Sequence, residues 1–183
     1  SSDLTLLMRD LTAGRYADWL QDKKQIAGIV PPVIGDAFDD VDLGIFNWQG
    51  TDKDNQYYCA SLEDTVTVLA RKPTDAHALN CLAEFYTSTQ ARVTLDKERW
   101  LNSDLDRATE IKPLPGVPQP LALYQQVISD TKAEPEDKSY ALYSAIRCYA
   151  PSSYNTCSNE EVDKAVRKAW FRQLKTSYPG SVW

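Results

Sequence analysis

Leu69-Ala70-Arg71-Lys72-Pro73-Thr74-Asp75-Ala76-His77-Ala78-Leu79-Asn80-Cys81-Leu82-Ala83-Glu84-Phe85-Tyr86 holds the end of one helix, a break and the start of another. Pro73 lacks an N–H, and its ring collides with the preceding turn, so a helix stops there. Thr74-Asp75 offers side-chain oxygens to the bare N–H groups that open the next helix. After it, Leu79, Leu82, Ala83 and Tyr86 recur every three or four residues, which marks one buried helical face. Before it, Tyr58, Leu62, Val66 and Leu69 do the same, with Thr51-Asp52-Lys53-Asp54 as the expected N-terminal cap.

The same period extends in both directions. Asp3–Leu11 reads as a short helix (Leu4, Leu7, Met8, Leu11) ended near Gly14, and Tyr16, Trp19, Leu20 and Ile26 mark a second. Pro31-Pro32 breaks the chain. Ala37–Trp48 is ambiguous: Phe38, Val41, Ile45 and Trp48 keep a helical stripe that Gly44 weakens. Leu101, Leu105, Ala108 and Ile111 form another stripe. Pro113, Pro115, Pro118 and Pro120 make a stiff junction over residues 113–120. Leu121, Tyr124, Val127 and Ile128 open the second half. Tyr140–Tyr149 is apolar almost all round and is expected to be the most buried helix. Ala150–Cys157 reads as an irregular loop, and Ser158-Asn159-Glu160-Glu161 as a capping box. Val162, Ala165, Val166, Ala169, Trp170 and Leu174 then run to Tyr178-Pro179. No alternating strand pattern appears. The chain predicts an all-α fold of eight or nine helices in one domain, residues 1–183, with sub-halves of roughly 1–112 and 121–183.

Composition bounds the function. The 183 residues are 43% apolar and 25% charged, ordinary for a globular chain. Twenty basic against 26 acidic residues leave a net charge of −6. That balance argues against a nucleic-acid-binding domain and against a polybasic membrane patch. No apolar run is long enough to span a bilayer. The single His77 excludes a multi-histidine metal site.

Cys59, Cys81, Cys148 and Cys157 are even in number and form no C-x-x-C motif. Of three pairings, spacing favours Cys59–Cys81 and Cys148–Cys157, each joining consecutive elements. Such bonds point to an oxidising compartment; four buried free thiols are the competing reading. The chain begins Ser1-Ser2-Asp3 without an initiator Met, as a processed or trimmed chain does. Ser-Ser also often follows the lipidated Cys of bacterial lipoproteins. A lipid anchor ahead of Ser1 is therefore one expectation, and an added non-native leader is the other.

The alternation of helix, short break, helix and proline is the rhythm of an α-solenoid. Leu69–Tyr86 resembles a tetratricopeptide repeat junction, with Pro73 closing one helical pair and Ala83 as the small residue that lets the next pair approach. Phe171–Trp183, with its Tyr178-Pro179 and following Ser181, is similar to the junction in tetratricopeptide-type proteins of the bacterial envelope. The resemblance implies stacked antiparallel helical hairpins with a concave groove, and a scaffold that binds a protein or peptide. It places His77, Asn80 and Glu84 on the groove side of their helix; the plainer reading makes them a solvated face.

Other constellations are weaker. Asp36, Asp39, Asp40 and Asp42 are dense in carboxylates but lack the ligand spacing, glycine and terminal glutamate of an EF-hand loop. No nucleophile elbow, phosphate loop or dinucleotide fingerprint occurs. His77 and Cys81 lie one helical turn apart and could touch, but a Cys59–Cys81 bond would consume the thiol. Tyr57 and Tyr154 fall off the main stripes and are the aromatic candidates for a surface contact. The expectation is a non-catalytic interaction module without cofactor or metal, periplasmic or secreted, binding through His77, Asn80, Glu84, Tyr57 and Tyr154. The alternatives are an acidic inhibitor or immunity-type protein, and a glycan-binding or glycan-cleaving domain.

Overall fold

A computed structural model describes residues 2–26, 43–89, 91, 118–148, 157 and 162–183. Among them are seven α-helices, one 3-10 turn and no strand. The helices are α1 (Ser2–Thr12), α2 (Tyr16–Ile26), α3 (Leu62–Arg71), α4 (Ala76–Ser88), α5 (Pro120–Ser129), α6 (Pro135–Arg147) and α7 (Lys164–Ser177). Leu43–Asn47 is the 3-10 turn, so the ambiguous Ala37–Trp48 stretch is not a regular α-helix there. Phe38, Val41, the Leu101–Ile111 stripe, the four-aspartate cluster and residues 113–117 of the proline junction lie outside the described residues.

Each helix packs on the next, from α1 through α4 and from α5 to α7, and α4 packs on both α5 and α6. The links α1–α2, α3–α4 and α5–α6 are short, and the two helices that each one joins pack on each other. One apolar core runs from Leu7 to Leu174. Trp19 meets Phe46 edge-on at 6.2 Å, and Phe46 lies against Phe85, so the 3-10 turn plugs the gap between α2 and α4.

The local signals explain most boundaries. Gly14 ends α1 with φ +72°, in the left-handed region. Asp75 caps α4 by accepting from the Ala78 N–H at 3.0 Å, after Pro73 has closed α3. Pro120 and Pro135 each open a helix in the first turn, where a missing N–H costs nothing.

Three expectations need correcting. Thr51-Asp52-Lys53-Asp54 does not cap α3; it belongs to a loop closed on itself. Thr51 Oγ1 accepts from the Cys59 N–H at 2.7 Å, and the Thr51 N–H donates to the Cys59 carbonyl. Ser61 is the cap, accepting from the Asp64 N–H, and Tyr58 is left exposed ahead of the helix. At α7 the cap is Asp163, accepting from Ala165; Ser158–Glu161 lies outside the described residues. The most buried helix is α4, with nine of 13 residues buried against six of 13 in α6. Each has three helical neighbours, α3, α5 and α6 for α4 and α4, α5 and α7 for α6, but Phe46, Trp48 and the Cys59 end of the 48–61 loop cover α4 as well.

Both expected disulfides are present. Cys59–Cys81 ties the 48–61 loop to α4, and Cys148–Cys157 ties the end of α6 to the chain ahead of α7. They fit an exported protein in an oxidising setting. No helix among the described residues is long and apolar enough to cross a membrane.

Gly50 sits where the loop turns back, with φ +89°. A Cβ there would overlap the carbonyl oxygens of Cys59 and Ala60. Gly50→Ala is expected to cost about 2–4 kcal/mol in urea unfolding, from strain and backbone displacement together. Gly180→Ala, with nothing near its Cβ, should stay within about 0.5 kcal/mol of the parent.

Candidate functional site

One carboxylate gathers a loop and two helices. Asp137 lies in the first turn of α6, His77 in the first turn of α4, and Tyr57 in the 48–61 loop. The loop aims Tyr57 inward for three local reasons. Asn55 Oδ1 accepts from the Tyr57 N–H, Thr51 Oγ1 donates to the Tyr57 carbonyl, and the Cys59–Cys81 bond anchors the chain two residues on. The ring then lies flat on Tyr140, with centroids 3.7 Å apart and planes 4° from parallel. Trp183 packs edge-on against both rings, at 6.2 and 5.1 Å.

The hydrogen bonds have a fixed direction. Asn80 Nδ2 donates to the Tyr57 hydroxyl at 2.8 Å and to the Asp137 carbonyl at 2.9 Å. The Tyr57 hydroxyl gives its only proton to Asp137 Oδ1 at 2.6 Å. His77 Nδ1 lies 3.1 Å from the same oxygen. A second bond runs across the same seam: the Tyr140 hydroxyl donates to Glu84 Oε2 at 2.6 Å. The pairs 77/137 and 84/140 step the same way along both helices, so α4 and α6 run parallel, with α5 as the return segment.

Charge follows from this wiring. Burial pushes the Asp137 carboxyl up, but the hydrogen bonds from His77 and Tyr57 outweigh it, and the group ends below its ordinary range. The bond to Asp137 raises the His77 imidazole above its usual 6.5, against a smaller opposing effect of burial. Burial, then the Asp137 bond, drives the Tyr57 phenol far up, so it remains a donor at any physiological pH. Burial does the same to Tyr140.

The seam reaches the surface at two ends. His77 and Asp137, with Asp75, Lys132 and Glu134, line a cleft of about 720 Å³. Glu84 and Tyr140, with Asn55, Tyr143, Arg147 and Trp183, line a second of about 440 Å³. In the second, Arg147 donates to the Tyr143 hydroxyl at 2.9 Å and lies over its ring. One mouth offers a carboxylate–imidazole pair whose net charge changes as the imidazole titrates, above its usual 6.5. The other offers aromatic faces beside one acid and one guanidinium, a setting for an apolar or aromatic side chain with a polar tip.

Four of the five residues expected to bind, His77, Asn80, Glu84 and Tyr57, come together here. They are not alike in access. His77 keeps a 48% exposed side chain, whereas Asn80 and Tyr57 are buried, at 0% and 2%. Tyr57 is thus no surface aromatic: the loop that lifts it off the α3 stripe turns it into the α4–α6 seam. Tyr154 lies outside the described residues. Cys81 Sγ does approach His77 Nε2, at 3.6 Å, but that sulfur is bonded to Cys59, so the pair holds no thiol. Among the described residues no group of three His, Cys, Asp or Glu side chains is placed to hold a metal ion.

Sequence reading missed Asp137, Tyr140, Tyr143 and Trp183. A signal existed: Asp137, Tyr140 and Ser144 repeat the i, i+3, i+7 spacing of His77, Asn80 and Glu84. No family model, curated protein or solved structure matches this chain.

His77 is the chain's sole histidine, so its titration is unambiguous by NMR. Its imidazole should titrate above 6.5, and Asp137→Asn should bring it down. The stability His77 contributes is full below its unfolded value of about 6.5 and fades as pH rises through the raised folded value. The part from Asp137 is present above about 3.9 and is lost as pH falls through its lowered folded value. Urea unfolding at pH 6 and 8 should show the parent losing stability with rising pH and D137N losing that slope, with D137N about 1–3 kcal/mol weaker at pH 6.

Proposed function

We propose that this chain is a non-catalytic interaction module of the bacterial cell envelope, built from tetratricopeptide-like hairpins, that binds a protein or peptide partner. The observation that carries the reading is the parallel α4–α6 seam, where buried Tyr57 and Asn80 hold a rigid floor between two open clefts. Stacked hairpins present the first helix of successive pairs on one face, and α4 and α6 bear matching polar stripes at that spacing. The two disulfides support an exported, oxidising location, periplasmic or secreted, and a lipid anchor would hold the module at a membrane.

The clefts suit an extended peptide better than a small metabolite. Each is open, and the four acids that line the first, Asp75, Asp130, Glu134 and Asp137, are interspersed with Lys72, Lys132 and His77 and form no group of three around one point. A peptide crossing the seam would meet the Asp137–His77 pair at one mouth and the Tyr143–Trp183 aromatics at the other. Aromatic anchors of this kind concentrate binding energy.

Photo-crosslinking tests the reading. A photoreactive phenylalanine analogue is placed at His77, Glu84 or Tyr143, and as controls at the exposed Val68 and Ala70. In the native envelope, the seam positions should trap one common protein and the controls should not. With that protein purified, Tyr143→Ala should weaken binding about tenfold or more. Equal trapping at seam and control positions, or none at the seam in correctly oxidised protein, would overturn the proposal.

A further inference from the structure

The last acidic residue of the chain is Asp163. Residues 164–183 carry five of the 20 basic residues and no acidic one, while residues 1–163 hold 15 basic against all 26 acidic residues. The five cations, Lys164, Arg167, Lys168, Arg172 and Lys175, all lie on α7. At about 100° per residue they fall within an arc of about 140°. Trp170 and Leu174 are the buried residues of α7 and fix it against α6; Lys164, Lys168, Arg172 and Lys175 are exposed, and Arg167, at the edge of the arc, is half-buried.

Phe171 lies inside that arc and is 53% exposed. Lys175 Nζ sits 5.7 Å from its ring centroid. Together with Ile146 of α6, the arc lines an open groove of about 620 Å³. The stripe shares no residue with the Tyr57–Asp137 seam.

We propose that this face of α7 is a docking surface for an anionic lipid bilayer. The apolar side of α7 is taken up by α6, so attraction to anionic headgroups supplies most of the binding; the helix's one exposed ring, Phe171, dips among the acyl chains while the long stems of the flanking lysines and arginines let their charges stay at headgroup level. Lysine is depleted from protein–protein interfaces, and three of these five cations are lysines. The acidic remainder of the molecule is repelled by the same membrane, so the molecule is oriented with α7 towards the bilayer.

Co-sedimentation with phosphatidylcholine vesicles, with and without phosphatidylglycerol, tests this. Binding to the anionic vesicles should be at least about tenfold tighter and should fall with added salt. K168E/R172E/K175E should reduce it to the level on neutral vesicles. K24E/K53E/R71E makes the same change in net charge at exposed sites elsewhere and should alter binding less than about twofold. Phe171→Ser should weaken binding about tenfold with every charge kept. If the reversal variant unfolds by circular dichroism, K168Q/R172Q/K175Q carries the same expectation. Equal binding to both vesicle types, or equal loss in the two reversal sets, overturns the proposal. So does retention by soluble polyglutamate without anionic-vesicle binding, which would assign the stripe to an acidic polypeptide.

Discussion

A single carboxylate oxygen, Asp137 Oδ1, takes hydrogen bonds from two directions, and the centre of the molecule is arranged around it. A carboxylate this buried is tolerated only when its lone pairs are occupied. Tyr57 and His77 occupy them, and they come from different elements. Asn80 closes the circuit by binding both the Tyr57 hydroxyl and the Asp137 backbone. The loop, α4 and α6 are therefore fixed in mutual register by directional bonds, beyond what apolar packing alone would specify. Apolar faces can slide by part of a turn at modest cost; a phenol, an amide and a carboxylate at these distances cannot.

The same arrangement separates rigidity from access. The stacked Tyr57 and Tyr140 rings and the Asn80 amide form the inside of the seam and have no freedom left to adapt. His77, Glu84, Tyr143 and Arg147 form its outside, each tied by one hydrogen bond but less enclosed. For the partner proposed above, a floor that is already ordered would remove part of the entropy cost of binding. The charge on α7 is segregated in a comparable way. A chain-wide net charge of −6 hides it, because the average cancels a basic helix against an acidic remainder. Net charge constrains the whole molecule, and an interaction face obeys its local charge.

Much of the fold was legible where one local cause acts alone. Pro73 and Asp75 ended one helix and began another as their backbone chemistry requires, and both cysteine pairings followed from proximity along the chain. The misreadings share a different origin. Thr51 has the side chain of a good cap, yet it caps nothing, because Gly50 turns the chain so that Thr51 meets Cys59 eight residues on. The apolar Tyr140–Tyr149 stretch suggests the most buried helix, but burial also depends on the loops that cover a helix, and the 3-10 turn and the 48–61 loop close over α4. Tyr57 broke the helical stripe and was read as surface, although leaving a stripe is also what a residue does when it fills a seam between two other helices. His77, Asn80 and Glu84 were legible as one face of one helix. Their partners, Asp137 for His77 and Asn80 and Tyr140 for Glu84, lie 56 to 60 residues away, and only the tertiary structure joins them.

The Cys59–Cys81 bond gives that distant pairing a chemical condition. Tyr57 is two residues from one sulfur, and Asn80 and His77 flank the other. With the bond made, the phenol, amide and imidazole are delivered together to Asp137. With it broken, the loop would be held to α4 and α6 by the Tyr57 hydrogen bonds and ring stacking alone. The oxidation state of the bond and the docking of α6 on α4 are thus thermodynamically linked, and each favours the other by the same amount. In a reducing compartment the seam would lack that covalent tie, so its completion is coupled to oxidation of the Cys59–Cys81 pair.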